Sequence, residues 1–228
     1  TPLNDRDENG ASLLLNEIDP FTFYGVFNRR IRNEQRIAIL AEIKNFFNLQ
    51  SQLPEGFDGI PILNNIKSWF IGYSANRDIE DVPKLWRVFE LALENDPLNN
   101  PKFSLAFDDA LKVAQTNINL TMGLFWIRPT VFLNLDSVNR EYLYVKLPSS
   151  GLTSKFYIET LKEISKLRQP FFELSNNAWK ATQHNADVKT LTKETEGENI
   201  NYWLVGAYWE DTNPSDQTER FIAEGIWK

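Results

Sequence analysis

A mainly helical fold is predicted by three features of this 228-residue sequence. Apolar residues recur three and four apart over most of the first 180 positions. Several of these stretches are opened by Asp, Asn or Thr and closed by Pro. Strand-like density of aromatic and β-branched residues is confined to one run near the end. Hydrophobic residues make up 42% and include sixteen Phe, seven Tyr and seven Trp, enough to build a substantial core, which excludes a chain disordered throughout.

Taken in order, residues 1–33 read as an irregular lead-in, broken at Asn9-Gly10 and Asp19-Pro20, with Phe21, Phe23, Tyr24 and Phe27 pinning it to the core. A helix capped by Asn33 follows to about residue 47, with Ile37, Leu40, Ile43 and Phe47 on one face. Residues 49–61, rich in Pro and Gly, are a loop. Asp81 as N-cap and Pro83 in the first turn start the clearest helix, whose stripe is Val82, Leu85, Trp86, Phe89 and Leu93. Asp96-Pro97 ends it. Asn100-Pro101 opens another helix with Phe103, Ala106, Phe107, Ala110, Leu111 and Ala114 at helical spacing. Residues 120–127 are apolar on every side, the mark of a buried central helix, and Pro129 stops it. Asp136 caps a short helix through Val138, Tyr142 and Leu143. Thr153 starts a long one containing Tyr157, Ile158, Leu161 and Ile164, closed by Pro170. A last short helix covers residues 175–180.

The character then changes. Residues 181–199 are almost entirely polar, a linker composition, and residues 202–209 read as a β-strand. A helical domain over 1–180, a polar linker over 181–200 and the start of a second, incomplete β-containing module over 201–228 are therefore expected.

The sequence offers little for catalysis. There is no Cys, and the single His184 lies in the polar segment, so neither a thiol nucleophile nor a held imidazole is available. A zinc site would need mostly carboxylates, and no metal site is assigned. Asp108 and Asp109 point about 100° apart on a helix and do not converge on one ion. Asp109 is expected to face water and Asp136 to cap its helix. No Walker-type loop and no Gly-x-Gly-x-x-Gly is present, so no nucleotide cofactor and no catalytic residue is assigned to this chain. The polar opening has no signal-peptide pattern and no apolar run approaches the roughly 20 residues of a membrane helix, which points to the cytoplasm and to no membrane partner.

Net charge is -7, of which -5 falls on residues 171–228, leaving only -2 over the first 170. A local basic face is thus possible there. Lys155, Lys162 and Lys166 are interleaved with Glu159 and Glu163 and read as surface pairs. Arg29, Arg30, Arg32 and Arg36 cluster before and into the first helix and are the candidate phosphate contacts.

Three stretches and one longer pattern resemble the N-terminal part of McrB-type AAA+ ATPases or GTPases of modification-dependent, 5-methylcytosine-specific restriction systems. The stretches are Asn-Leu-Thr-Met-Gly-Leu-Phe-Trp-Ile-Arg-Pro over 119–129, Phe-Leu-Asn-Leu-Asp over 132–136, and Phe-Glu-Leu-Ser-Asn-Asn-Ala-Trp over 172–179. The longer pattern is Tyr-Trp-Leu-Val-Gly-Ala-Tyr-Trp over 202–209 with Gln-Thr-Glu-Arg-Phe-Ile-Ala-Glu-Gly-Ile-Trp over 217–227. It is similar to the opening of a small EVE- or PUA-like β-module that precedes the motor domain. The resemblance implies a region of a larger restriction protein that selects DNA or assists assembly. GTP or ATP with Mg would belong to a motor domain outside this chain, and self-assembly and a nuclease subunit would be partners of the whole. If a modified base is flipped, Trp203, Tyr208 and Trp209 are the candidate stacking walls; packing within the strand is the other use for these rings. The rival reading is a scaffold that binds protein rather than DNA, which the net acidity favours.

Overall fold

The computed structural model describes residues 4–27, 31–57, 68–194, 208–209 and 215–216, with side chains as far as Thr182. The fold is mainly α, as the sequence predicts. Among the described residues it has eight helices: α1 (Pro20–Phe27), α2 (Asn33–Phe46), α3 (Asp81–Ala92), α4 (Pro101–Ala110), α5 (Asn119–Ile127), α6 (Ser137–Tyr142), α7 (Ser154–Ser165) and α8 (Phe171–Glu194). The chain divides into two compact units, Thr1–Thr182 and Gln183–Lys228. In the second, β3 (Tyr208–Trp209) pairs antiparallel with β4 (Ser215–Asp216). The rest of the expected strand lies outside the described residues. No helix among the described residues is long and apolar enough to cross a membrane.

The lead-in is more regular than expected. Strand β1 (Asn4–Arg6) pairs antiparallel with β2 (Ser12–Leu14), Asn4 opposite Leu14. The Asp7 carboxylate accepts from the backbone N–H of Asn9 and Ala11 at 2.9 and 2.8 Å, and Gly10 takes the left-handed backbone (φ 77°) that closes the turn. Buried Asp5 anchors this hairpin, pairing with Arg77 at 3.0 Å and accepting from the Ser74 N–H at 2.8 Å. Asp19-Pro20 is a helix start rather than a break. One Asp19 oxygen accepts from the N–H groups of Phe21 and Thr22, both at 2.9 Å, and Pro20 occupies the first helical position.

The other Asp19 oxygen is buried without a partner, and burial raises the carboxyl above its usual pKa against the lowering pull of the Thr22 side chain and of the Thr22 and Phe21 N–H groups. A raised folded pKa means the native state holds the proton more tightly than the unfolded chain. Stability linked to Asp19 is therefore present at low pH and lost as pH rises through the folded value, a window opening near pH 4. The Asp19→Asn variant keeps the capping oxygen and removes the charge. It is expected to flatten this part of the profile and be no less stable at pH 7, as checked by urea unfolding from pH 4 to 8 in steps.

Two caps shift by one residue. Arg32, not Asn33, is the N-cap of α2, and its N–H donates to the Gln35 side chain at 3.1 Å. Glu80, not Asp81, is the N-cap of α3; Asp81 lies inside the first turn and accepts from the Asp78 N–H at 3.1 Å. The buried stripe of α3 is Val82, Leu85, Val88 and Ala92. Expected members Trp86 and Leu93 are 41% and 50% exposed. Trp86 sits at the edge of the stripe, where its indole N–H donates to the Ile18 carbonyl at 3.0 Å. A large ring with one polar end suits such a boundary.

The core lies where α3 packs on α4, α4 on α7, and α1 on both α3 and α5. Asn100 caps α4 by accepting from the Lys102 N–H at 2.9 Å, and α4 stops at Ala110, before the expected Ala114. Helix α5 is the buried central helix that the run 120–127 predicts: Leu120 through Phe125 are all buried. Phe107 stacks on Tyr157 with ring centroids 5.2 Å apart, and Phe103 and Phe132 complete the cluster. Thr153 caps α7 as predicted, accepting from the Phe156 N–H at 3.2 Å. The last helix is longer than the expected 175–180. No Gly or Pro interrupts residues 171–194, and Ala, Leu, Lys and Gln sustain a helix whose polarity resembles a linker.

Candidate functional site

Two buried polar side chains, Asn134 in the segment between α5 and α6 and Asn139 in α6, meet around half-buried Asp136. Asn134 lies in the otherwise apolar run Phe132–Leu135 and is fully buried, so its amide must be satisfied from within the protein. It donates to Asp136 at 2.7 Å and accepts from Ser175 of α8 at 3.3 Å. Asp136, the predicted cap of α6, accepts from the Asn139 N–H at 2.8 Å. Burial raises the Asp136 carboxyl, opposed by its hydrogen bonds to Asn139 and Asn134. The Asn139 amide donates to the Asn134 carbonyl at 3.0 Å and to Ser175 at 3.2 Å, while its own carbonyl oxygen is buried without a partner. The Thr121 hydroxyl of α5 accepts from the Leu135 N–H at 3.0 Å, and Tyr157 donates to the Leu133 carbonyl at 2.8 Å. The cluster therefore joins α5, α6, α7 and α8 through one extended segment. It can position helices, and its groups face one another rather than a cavity.

The remaining acids also have structural uses. Asp108 holds the start of α7, accepting from the Ser154 N–H and hydroxyl, both at 2.7 Å. Asp109 faces water and pairs with Lys112 at 2.7 Å, whose hydrogen bond and charge lower its pKa. Among the described residues, no group of three or more His, Asp or Glu side chains could hold a metal ion.

Of the four candidate arginines, Arg29 and Arg30 lie outside the described residues. Arg32 is exposed at the N-cap of α2. Arg36 is 7% exposed and turned inward. Its Nε donates to the Phe27 carbonyl and its Nη1 to Asn33, both at 3.0 Å, and the guanidinium lies 5.4 Å from the Phe57 ring centroid. Arg36 thus ties the end of α1 to the start of α2, bridging the two flanks of the segment that carries the other three. Trp203 lies outside the described residues. Tyr208 and Trp209 form β3, whose side chains are likewise undescribed.

Among the described residues, two open grooves stand out on the surface. One, of about 750 Å³ between α3 and α4, is lined by Lys84, Arg87 and Lys102 together with Glu80, Glu90, Glu94 and Asp109, so its charges nearly cancel. The other, of about 470 Å³ along α7, has an apolar floor of Leu143, Val145, Phe156, Ile164 and Leu167.

Sequence reasoning overlooked Arg128, Asn134, Asn139 and Ser175. The Arg128 guanidinium donates to the Ala92 and Glu94 carbonyls and closes the C-terminal end of α3, where a cation is favoured. A polar Asn inside Phe132–Leu135 was the legible signal for the cluster. Nothing local marks Arg128, because its partners lie 34 and 36 residues away.

The arrangement is that of a helical domain with a hydrogen-bonded interior and shallow surface grooves. Residues 2–181 match the family model of a domain of unknown function, DUF8425, and the chain belongs to that family. No curated protein and no solved structure matches the chain.

Proposed function

We propose that this chain is the DNA-recognition or assembly region of a McrB-like restriction NTPase, acting by binding rather than by catalysis. The observation that carries the reading is Arg36. Its two hydrogen bonds bridge residues 27 and 33, fastening the chain on either side of Arg29, Arg30 and Arg32, and its guanidinium lies over the Phe57 ring. A segment held at both ends loses less conformational freedom when its side chains engage a phosphate backbone. Arg36 is then a positioning residue, and Arg32 with Arg29 and Arg30 supplies the contacts. The placement of Asp108, Asp109 and Asp136 in caps and a surface pair favours a non-catalytic role. GTP or ATP with Mg, and the nuclease partner, belong in this proposal to the rest of the parent protein.

The test is a salt titration of duplex binding with plain and cytosine-methylated DNA. Replacing Arg29, Arg30 and Arg32 with Ala is expected to reduce the salt slope by up to about three, roughly 0.9 for each phosphate no longer neutralised. Circular dichroism and urea unfolding of the triple variant check that the fold survives; at exposed Arg32 the lost charge should contribute little to stability. An unchanged slope would move the binding surface elsewhere.

The second reading, a protein-binding scaffold, is favoured by the net charge of -7 and by the near-neutral groove between α3 and α4. No binding by the wild-type chain to either duplex at low salt would select it.

A further inference from the structure

The turn after α6 carries an unusual residue. Helix α6 ends with the Val145 N–H donating to the Arg140 carbonyl at 2.8 Å and the Tyr144 N–H to the Glu141 carbonyl at 3.3 Å. This pair of bonds closes a helix in the Schellman manner, and its pivot residue takes the left-handed backbone, where Gly is favoured. Here the pivot is Tyr144, at φ 55°. Its ring is 91% exposed. A left-handed conformation for a bulky residue costs about 1 kcal/mol or more. Folding gains nothing visible in return, because the ring packs on almost nothing in its own chain.

Beside it runs the apolar groove along α7, floored by Leu143, Val145, Phe156 and Ile164, with Leu167 at 58% exposure. Lys146 and Glu159 line the same groove, and among the described residues neither forms an ion pair within the chain. One patch thus holds a projecting aromatic, an apolar socket and one unpaired charge of each sign. An interface between identical partners across a two-fold axis must complement itself, and a patch that carries both a knob and a socket and both signs of charge meets that condition. A partner of fixed opposite character would instead be matched by a rim of one sign.

We propose that this face binds a second copy of the same chain across a two-fold axis. Each Tyr144 ring enters the other copy's groove and each Lys146 meets the other copy's Glu159. A central aromatic in a desolvated pocket with charges at the rim is the distribution of an interface hot spot. The inference does not rest on the DNA reading; it concerns a different face and has its own readout.

The test is sedimentation velocity on the full 228-residue chain over a concentration series, with circular dichroism as the folding control. Reversible dimerisation is expected. Tyr144→Asn removes the ring while keeping a residue that tolerates the left-handed turn, and should weaken dimerisation by about tenfold or more. K146E and E159K should each weaken it similarly, because each places like charges together at both symmetric positions. An equimolar mixture of K146E and E159K should recover it, since both positions then hold opposite charges. A monomer at every concentration, or a dimer indifferent to all three substitutions, overturns the proposal. Failure of the mixture to recover overturns the two-fold pairing.

Discussion

Phe107→Ala is expected to lower the free energy of unfolding by about 3–5 kcal/mol, the range for emptying a fully buried aromatic site. Phe107 is completely buried on α4. Its ring lies between Tyr157 of α7, stacked at 5.2 Å and 16°, and Phe103, tilted at 6.0 Å. Truncation removes the layer that joins α4 to α7, and the neighbours are poorly placed to close the space. Tyr157 is held by its bond to the Leu133 carbonyl, and Phe132 by its stack on Tyr157 at 6.5 Å. A domain of this kind has about 5–15 kcal/mol in all, so the variant should sit near the limit of folding. Phe46→Ala is the control: at 83% exposure its loss should change stability by less than about 0.5 kcal/mol. Urea midpoints with unchanged slopes would measure both. Equal effects at the two positions would mean that α4 and α7 are not packed as described.

The residues show why part of this fold was legible. Asn100, Asp136 and Thr153 each cap a helix through a side-chain oxygen and an N–H two or three residues on. That interaction is wholly local, so the sequence displays it. The run 120–127 was legible because a helix apolar on every side has only one place to go. The α3 stripe was harder. Trp86 and Val88 both fit helical periodicity, and the choice of face is made by α4, which local spacing does not contain. The hairpin at residues 4–14 was misread for another reason. Asn9-Gly10 is visible, but a turn signal between strands of three residues looks like a break. Arg36 shows the limit for the candidate site. Four arginines in eight residues read as one basic cluster, and only the fold separates the buried strut from exposed Arg32.

Gly123→Ala should destabilise the domain by about 1–3 kcal/mol, although Ala is the better helix former by about 1 kcal/mol. Gly123 sits in the middle of α5, where α1 crosses it, and a Cβ there would press into the Phe21 ring. That ring has no room to withdraw. It is fully buried, 5.6 Å from Phe70 and 6.1 Å from Phe89, and its own N–H is held by Asp19. Gly25 makes a second close approach, with the Ser68 carbonyl where its Cβ would lie. The two glycines therefore let α1 seat deeply, with Thr22 accepting from the Phe70 N–H at 2.8 Å. A double-mutant cycle separates this steric account from a general loss of helix flexibility. Phe21→Leu alone leaves space and should destabilise; combined with Gly123→Ala it should cost less than the two separate losses together, because the smaller side chain makes room for the new methyl. Strict additivity would show that Gly123 is needed for something other than the close approach of Phe21.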